Sequence, residues 1–283
     1  MNVATQATAR ETGWPARLAL RFARRGGRTV LADRRHYGPL RVQRPFYPES
    51  PAICHVYLLH PPAGMVSGDD LEVDVRVGGE AWGLITTPGA GKFYRHGGGP
   101  PASQDQRLSI AAGGTLEWLP QENILYDGAH ARMVTRVEVE EGARFMGWDI
   151  TCLGRPACDE ALRHCRIRQR FELWRDGVPL WVERSRYDDH CPVLDARWGL
   201  RGQGVAGTLV CTNRRPEVVD EIRRRVEVAA PALFSATQMD EVLVCRYLGG
   251  QAQEARACLG GAWRLLRRLV FGREAVPPRI WLT

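Results

Sequence analysis

The sequence predicts a mainly β protein, a stack of strand–turn–strand units with a small α/β part carrying two helices near the C-terminus. Three patterns in it carry that prediction. Runs such as LEVDVRV place Leu71, Val73, Val75 and Val77 against Glu72, Asp74 and Arg76, the period of a half-buried strand. Such runs end at a glycine and are followed by a second apolar run. The last third changes to helical spacing.

The units follow one another along the chain. LALRFARRGG precedes RTVLAD, and LEVDVRVGG precedes AWGLITTP. QRLSIAAGG then leads into TLEWLPQE, TRVEVEEG into ARFMGWDI, and FELWRDG into VPLWVERS. The turn glycines Gly79, Gly114, Gly142 and Gly177 are 35, 28 and 35 residues apart. A repeat of about thirty residues suits stacked β coils and a layered sandwich of hairpins alike. No Pro- or Ser-rich linker interrupts it, so residues 13–283 read as one domain behind a flexible tail at residues 1–12. Further on, RPEVVDEIRRRVEV reads as a helix. Pro216 stands in its first turn, acids near its start and Arg223 to Arg225 near its end, as the helix dipole favours. EVLVCRYLG reads as a strand. QEARACLGGAWRLLRRLVFG reads as a second helix with Leu259, Ala262, Leu266 and Leu269 on one face and Arg256, Arg264, Arg267 and Arg268 on a charged, solvated one.

Composition narrows the function. No run of eighteen apolar residues occurs, so no transmembrane helix is expected, and the N-terminus lacks the apolar core of a secretory signal. A cytoplasmic protein follows. The formal charge is +7, but the arginines are scattered along strands, which reads as a solvated surface and not as a nucleic-acid site. The eight cysteines form no C-x-x-C, and several sit in strand-like runs as small buried hydrophobes. Cys152, Cys158, His164 and Cys165 lie close in sequence without the spacing of a zinc knuckle.

The stretch from Leu58 to Arg95 is the densest in charge and turn residues and holds His60, Asp69, Asp70 and the only lysine, Lys92. A compact ammonium kept among so many arginines marks a tight site. PGAGK is not a phosphate-binding loop, because Thr86 stands where that pattern needs glycine and Phe93 where it needs Ser or Thr. No nucleophile elbow is present either. Asp69 and Asp70 are adjacent, so in a strand they would face opposite ways; for Asp70 the reading is a turn aspartate that accepts backbone hydrogen bonds. Asp149 interrupts the run RFMGWDITCLG, and Glu183 shares a strand face with Trp181, Ser185 and Tyr187. A carboxylate on an apolar face needs a cation, a metal or several donors. From pattern alone a buried pair with arginine is the plainer reading and a metal or transport role the sharper one.

From about Gly13 to Thr283 the chain resembles the urease accessory protein D family, also called UreD or UreH. The resemblance rests on TVLA, GPLRVQRPFYPE, YLLHPPAGMVSGD, LITTPGAGKFYR, LEWLPQENILYDGA, GWDITCLGRP, PLWVERSR and PRIWLT, in that order. It implies a β-helix-like, cytoplasmic, non-enzymatic scaffold for urease maturation. Such a scaffold binds urease apoprotein and the accessory proteins F and G, forms dimers of complexes, and passes transient Ni²⁺ with no tightly bound cofactor. On the matched motifs, Asp69, Asp149, Glu183 and His60 become candidates for a nickel route, and Lys92, Tyr94 and Arg95 candidates for binding. Two departures affect local turns: Ala63-Gly64 and Ser67-Gly68 replace the usual double glycines, and Gly91 stands where a small hydroxyl residue is common. The alternative functions are a β-helical carbohydrate-active enzyme using Asp69, Asp149 and Glu183, and a basic nucleic-acid module.

The cysteine spacing predicts eight free thiols. Mass spectrometry of denatured, alkylated, unreduced protein should show every cysteine modified, and an intrachain disulfide would contradict the compartment.

Overall fold

Period-two alternation gives each strand an apolar face, and two sheets bury those faces against each other. The structure, a computed structural model, describes residues 13–282; the tail expected over residues 1–12 lies outside the described residues. The chain opens with β1 (Pro15–Arg25), β2 (Arg28–Tyr37), β3 (Arg41–Val42) and β4 (Ile53–Leu59). Coils follow, made of β5 (Asp70–Val77), β6 (Trp82–Thr86) and β7 (Gly91–Phe93), then β8 (Ala102–Ile110), β9 (Thr115–Leu119) and β10 (Asn123–Leu125). Next come β11 (Ala129–Val139), β12 (Arg144–Arg155), β13 (Glu160–Ala161), β14 (Cys165–Arg175) and β15 (Val178–Asp188). The remainder is β16 (Val205–Thr212), α1 (Glu217–Arg225), β17 (Leu233–Met239), β18 (Val242–Gly249) and α2 (Ala252–Leu269).

The seven-stranded sheet runs β15-β14-β11-β8-β5-β1-β2. In it β1, β5, β8, β11 and β14 are parallel. The second, eleven-stranded sheet runs β17-β18-β16-β12-β9-β6-β4-β3, with β7, β10 and β13 attached beside it. Its middle strands β4, β6, β9 and β12 are also parallel. A β5-to-β6 turn therefore carries the chain from one sheet to the other, as a solenoid does. The ladder places Asp70 beside Ser103, 33 residues on, and Ala102 beside Ala131, 29 residues on. Each corner closes a β-turn, Ala81 N–H to Gly78 O at 3.2 Å, Gly114 to Ala111 at 2.8 Å and Ala143 to Glu140 at 2.9 Å. The corners stack in turn, with Thr115 N–H donating to Ala81 O and Arg144 N–H to Gly114 O.

The first and last units depart from that template. β1–β2 and β14–β15 are antiparallel hairpins within one sheet. Their two-residue loops put both central residues at positive φ, Gly26 and Gly27 at 51° and 78°, Asp176 and Gly177 at 47° and 80°. That is the turn whose twist matches a hairpin. The longer corners use one such residue, and the chain crosses between sheets instead.

One apolar core lies between the sheets, and a second between the larger sheet and the two helices. Pro216 stands at the start of α1, and α2 buries Leu259, Ala262, Trp263 and Leu266. Arg267 contradicts the expected charged face: it is fully buried. It follows Trp263 by four residues, so it falls at the edge of the buried stripe. Its Nη2 lies 2.9 Å from Glu49 Oε2 and 3.4 Å from Glu117 Oε1. Glu117 also accepts from Trp82 Nε1 at 2.7 Å and Trp263 Nε1 at 2.6 Å. Burial pushes the Glu117 carboxyl up against the pull of Arg267 and the two indoles. Burial also works on Glu49, but hydrogen bonds from His55 and Arg267 outweigh it and hold that carboxyl below its ordinary range.

On the outer face of the smaller sheet, arginines scattered in sequence become neighbours, as Arg132, Arg168 and Arg186 do in adjacent strands. All eight cysteines are unpaired. Among the described residues no helix is long and apolar enough to cross a membrane.

Arg267→Met should cost about 3–5 kcal/mol, because it strands two buried carboxylates. Urea unfolding measures it, and adding Glu117→Gln should restore part of the loss.

Candidate functional site

Rows of side chains line the space between the sheets, and the ladder register shows which row is polar. Toward the corners, Val75, Leu108, Val137 and Leu173 lie side by side and the filling is apolar. Toward the other end the same strands turn inward Gln104 and Gln106 on β8, Thr135 on β11, Gln169 on β14, and Glu183 and Ser185 on β15. Gln106 stands beside Thr135, and Gln169 beside Ser185. Thr135 Oγ1 donates to Gln106 Oε1 at 2.7 Å. Amides and hydroxyls at inward positions forgo hydrophobic burial and offer hydrogen-bonding partners to water between the sheets.

Two cavities occupy that half. One, of about 210 Å³, is lined by His60, Lys92, Gln104, Gln106, Trp148 and Asp149 among others. The other, of about 410 Å³, is lined by Asp149, Gln169, Glu183, Tyr187, Cys191 and Thr208 among others. Asp149 belongs to both. Its backbone position explains why. β12 pairs with β9 only as far as Gly147, opposite Trp118, and with β10 only from Thr151, opposite Asn123. Residues 120–122 leave the ladder between those points, and the sheet splits beside Asp149. Residues 87–90 leave it at the same level one coil away, tied by Gln121 N–H to Thr87 Oγ1 and by Gly91 N–H to Glu122 O, both 2.9 Å. The PGAGK segment is thus the rim of a slit. Arg256 of α2 clasps the other rim, 2.8 Å from both Gln121 Oε1 and Glu122 Oε2.

Among the described residues Asp149 has no arginine partner. Gln169 Nε2 donates to its Oδ2 at 2.7 Å and Thr151 Oγ1 to its Oδ1 at 3.3 Å. Burial pushes its carboxyl up against those bonds and one with Asn123. Glu183 does have an ion pair, Arg246 Nη2 at 3.1 Å, and accepts from Thr208 Oγ1 at 3.4 Å. Burial raises it too, Arg246 opposing and the nearby Asp149 charge adding. The plainer reading, a carboxylate paired with arginine, therefore holds for Glu183 and fails for Asp149.

The other predicted residues separate. His60 and Lys92 line the smaller cavity. Burial lowers the His60 imidazole's affinity for a proton, with Asp69 opposing. Asp69 is buried, and its two oxygens accept from Trp14 N–H at 2.8 Å and Val66 N–H at 2.9 Å. Asp70 instead meets Arg17 at 2.8 Å and Ser103 Oγ at 2.5 Å. The turn-aspartate role expected of Asp70 thus belongs to Asp69. Tyr94 packs edge-on against Tyr126 and covers Gly64, where an added Cβ would come within 2.2 Å of its ring. Arg95 is exposed and 3.6 Å from Asp127. No three His, Cys, Asp or Glu side chains form a ready-made metal centre among the described residues. Sequence reasoning missed the inward amides, although Gln104, Gln106 and Gln169 stand in phase with the apolar positions of their own strands.

A family model described as UreD urease accessory protein matches residues 15–282. The urease accessory protein UreD of Alcanivorax borkumensis is 43% identical over 284 residues, covering 99% of this chain and 96% of that protein. UreD 2 of Brucella anthropi is 44% identical over 273 residues, covering 96% and 99%. UreD of Pseudomonas fluorescens Pf-5 is 44% identical over 284 residues and covers both chains completely.

Because the folded protein holds the Asp149 proton more tightly than the unfolded chain, stability contributed by this group falls as pH rises through that interval. Asp149→Asn should therefore match or exceed the parent in urea unfolding at pH 7, and its advantage should vanish on acidification to below the ordinary aspartate range. A large loss at pH 7 would mean that the ionised carboxylate is itself structural.

Proposed function

The chain belongs to the UreD urease accessory protein family, and on that premise we propose that it is a scaffold for urease maturation whose inter-sheet passage admits Ni²⁺ in transit. Asp149 carries this reading, because it is shared by two cavities at a split in the sheet. Cavities of about 210 and 410 Å³ each exceed the roughly 30 Å³ share of one water, so a partly hydrated ion has room to move. The lining supplies carboxylate, amide and hydroxyl oxygens, one imidazole and the single thiol of Cys191, and the oxygen and nitrogen ligands exchange readily. A full thiolate set would retain the ion. Asp149 and Glu183 supply charge along the route, His60 and Lys92 stand at the slit end, and Asp69 fixes the Val66–Asp69 turn.

In this reading residues 13–283 act as one domain in the cytoplasm. The chain binds urease apoprotein and the accessory proteins F and G, in dimers of complexes, and holds no tight cofactor. It performs no chemistry of its own, and any nucleotide hydrolysis belongs to a partner. Its outer faces, Tyr94 and Arg95 included, are left for protein contacts. The carbohydrate-active alternative loses Asp69, both of whose oxygens are held by backbone N–H groups.

Asp149→Ala with Glu183→Ala should leave co-purification with urease unchanged and cut nickel per urease active site several-fold. Full nickel loading would reject the passage. A parallel loss of folding and binding would assign both carboxylates to structure alone.

A further inference from the structure

Four of the seven histidines meet where neighbouring turns stack: His96 N–H donates to Gly128 O and Gly128 N–H to His164 O, while His130 packs on His96 and His190 on His164. His96 and His130 lie face to face with centroids 4.1 Å apart, an arrangement that points their lone pairs side by side and does not converge them. His164 and His190 are different. Their centroids are 5.3 Å apart and their planes cross at 79°. With metal–nitrogen bonds of about 2.1 Å, two imidazoles bound cis to one ion place their centroids about 5 Å apart.

The pair is held in that geometry from both sides. His190 N–H donates to Arg163 O at 3.0 Å, and Cys165 N–H donates to Asp189 Oδ1 at 2.8 Å. These bonds fasten the turn after β15 to the segment that carries His164. His190 itself adopts φ 51°, uncommon for a side-chain-bearing residue. Asp127 orients the other ring. Its Oδ1 accepts the N–H groups of Arg163 and His164 at 2.8 and 2.7 Å, and its Oδ2 lies 3.2 Å from His164 Nδ1. With Nδ1 donating to this carboxylate, the Nε2 lone pair of His164 is free, the arrangement that second-shell carboxylates impose on metal-binding histidines.

We propose that His164 and His190 form a surface half-site for a borderline divalent cation, with Asp127 as the positioning residue. Two imidazoles fill only part of a coordination shell, and the remaining positions go to water or to a ligand brought by another molecule. Imidazole suits nickel, copper and zinc more than magnesium or calcium. The site also adjoins the interior. His190 and Cys191 line a cavity of about 620 Å³, and Cys191 lines the 410 Å³ cavity of Asp149 and Glu183 as well. Its use as one terminus of the passage rests on the function proposed above, whereas its capacity to bind does not.

The test is Ni²⁺ titration of the purified chain by calorimetry. The wild type should bind one ion that His164→Ala with His190→Ala weakens at least tenfold, while Asp127→Asn weakens it by about tenfold. His96→Ala with His130→Ala should leave the affinity unchanged, and so should Asp149→Ala with Glu183→Ala, which separates this site from the passage. On the wild type, Ni²⁺ should shield His164 and His190, but not the exposed His36, from diethyl pyrocarbonate. Unchanged affinity in the folded His164/His190 double variant, or equal modification with and without Ni²⁺, would overturn the proposal.

Discussion

The buried guanidinium of Arg267 sits between Glu49 and Glu117, and the site depends on it. The three residues come from the approach to β4, from the middle of β9 and from the last turn of α2. Desolvating such charges is costly, and their mutual attraction offsets it only while all partners are in place. The indoles of Trp82 and Trp263 each donate to one oxygen of Glu117 as well. Helix α2 is thereby fixed in rotation as well as position. That rotation puts Arg256 over Gln121 and Glu122, the segment whose departure from the ladder opens the slit. A helix held only by apolar contacts could slide; one held by a buried ion triad has a single register.

The division of the inter-sheet space into a dry half and a polar half has a cost. Each inward Gln or Thr replaces a side chain whose burial would stabilise the fold by about 1.5–3 kcal/mol. The apolar rows near the corners, and the second core under α1 and α2, offset that loss. Asp149 sits where a carboxylate is tolerable: half-buried, facing cavity and amide donors. Glu183, nearer the outside, is balanced by Arg246.

Much of this was legible in the chain. Period-two alternation located the coil strands, and the helical spacing located α1 and α2, because those signals are local. The hairpins were legible too, in the two-residue Gly26-Gly27 and Asp176-Gly177 loops, but a shared glycine template hid them. Arg267 was not legible, since nothing in LLRRLV distinguishes a buried arginine from a solvated one; its acids lie far away in sequence. Asp149 and Glu183 stood out as carboxylates in apolar runs. Their partners, Gln169 and Arg246, are fixed by packing between strands that no local pattern connects. The His164–His190 pair likewise depends on a turn being fastened to a segment more than twenty residues earlier.

The hairpins that end the seven-stranded sheet also set its length. A parallel stack of coils has an open ladder at each end and could be extended by further copies. Here β2 and β15 reverse the chain at the two edges, and the exposed half of β2 carries Arg34, Arg35 and His36. The stack is therefore a ruler with fixed ends. Each coil adds one strand spacing, about 4.8 Å, to the distance between the edges. The span of the polar lining is counted in whole coils, so kin of this protein that need a longer or shorter reach would differ by whole coils inserted or removed between unchanged ends.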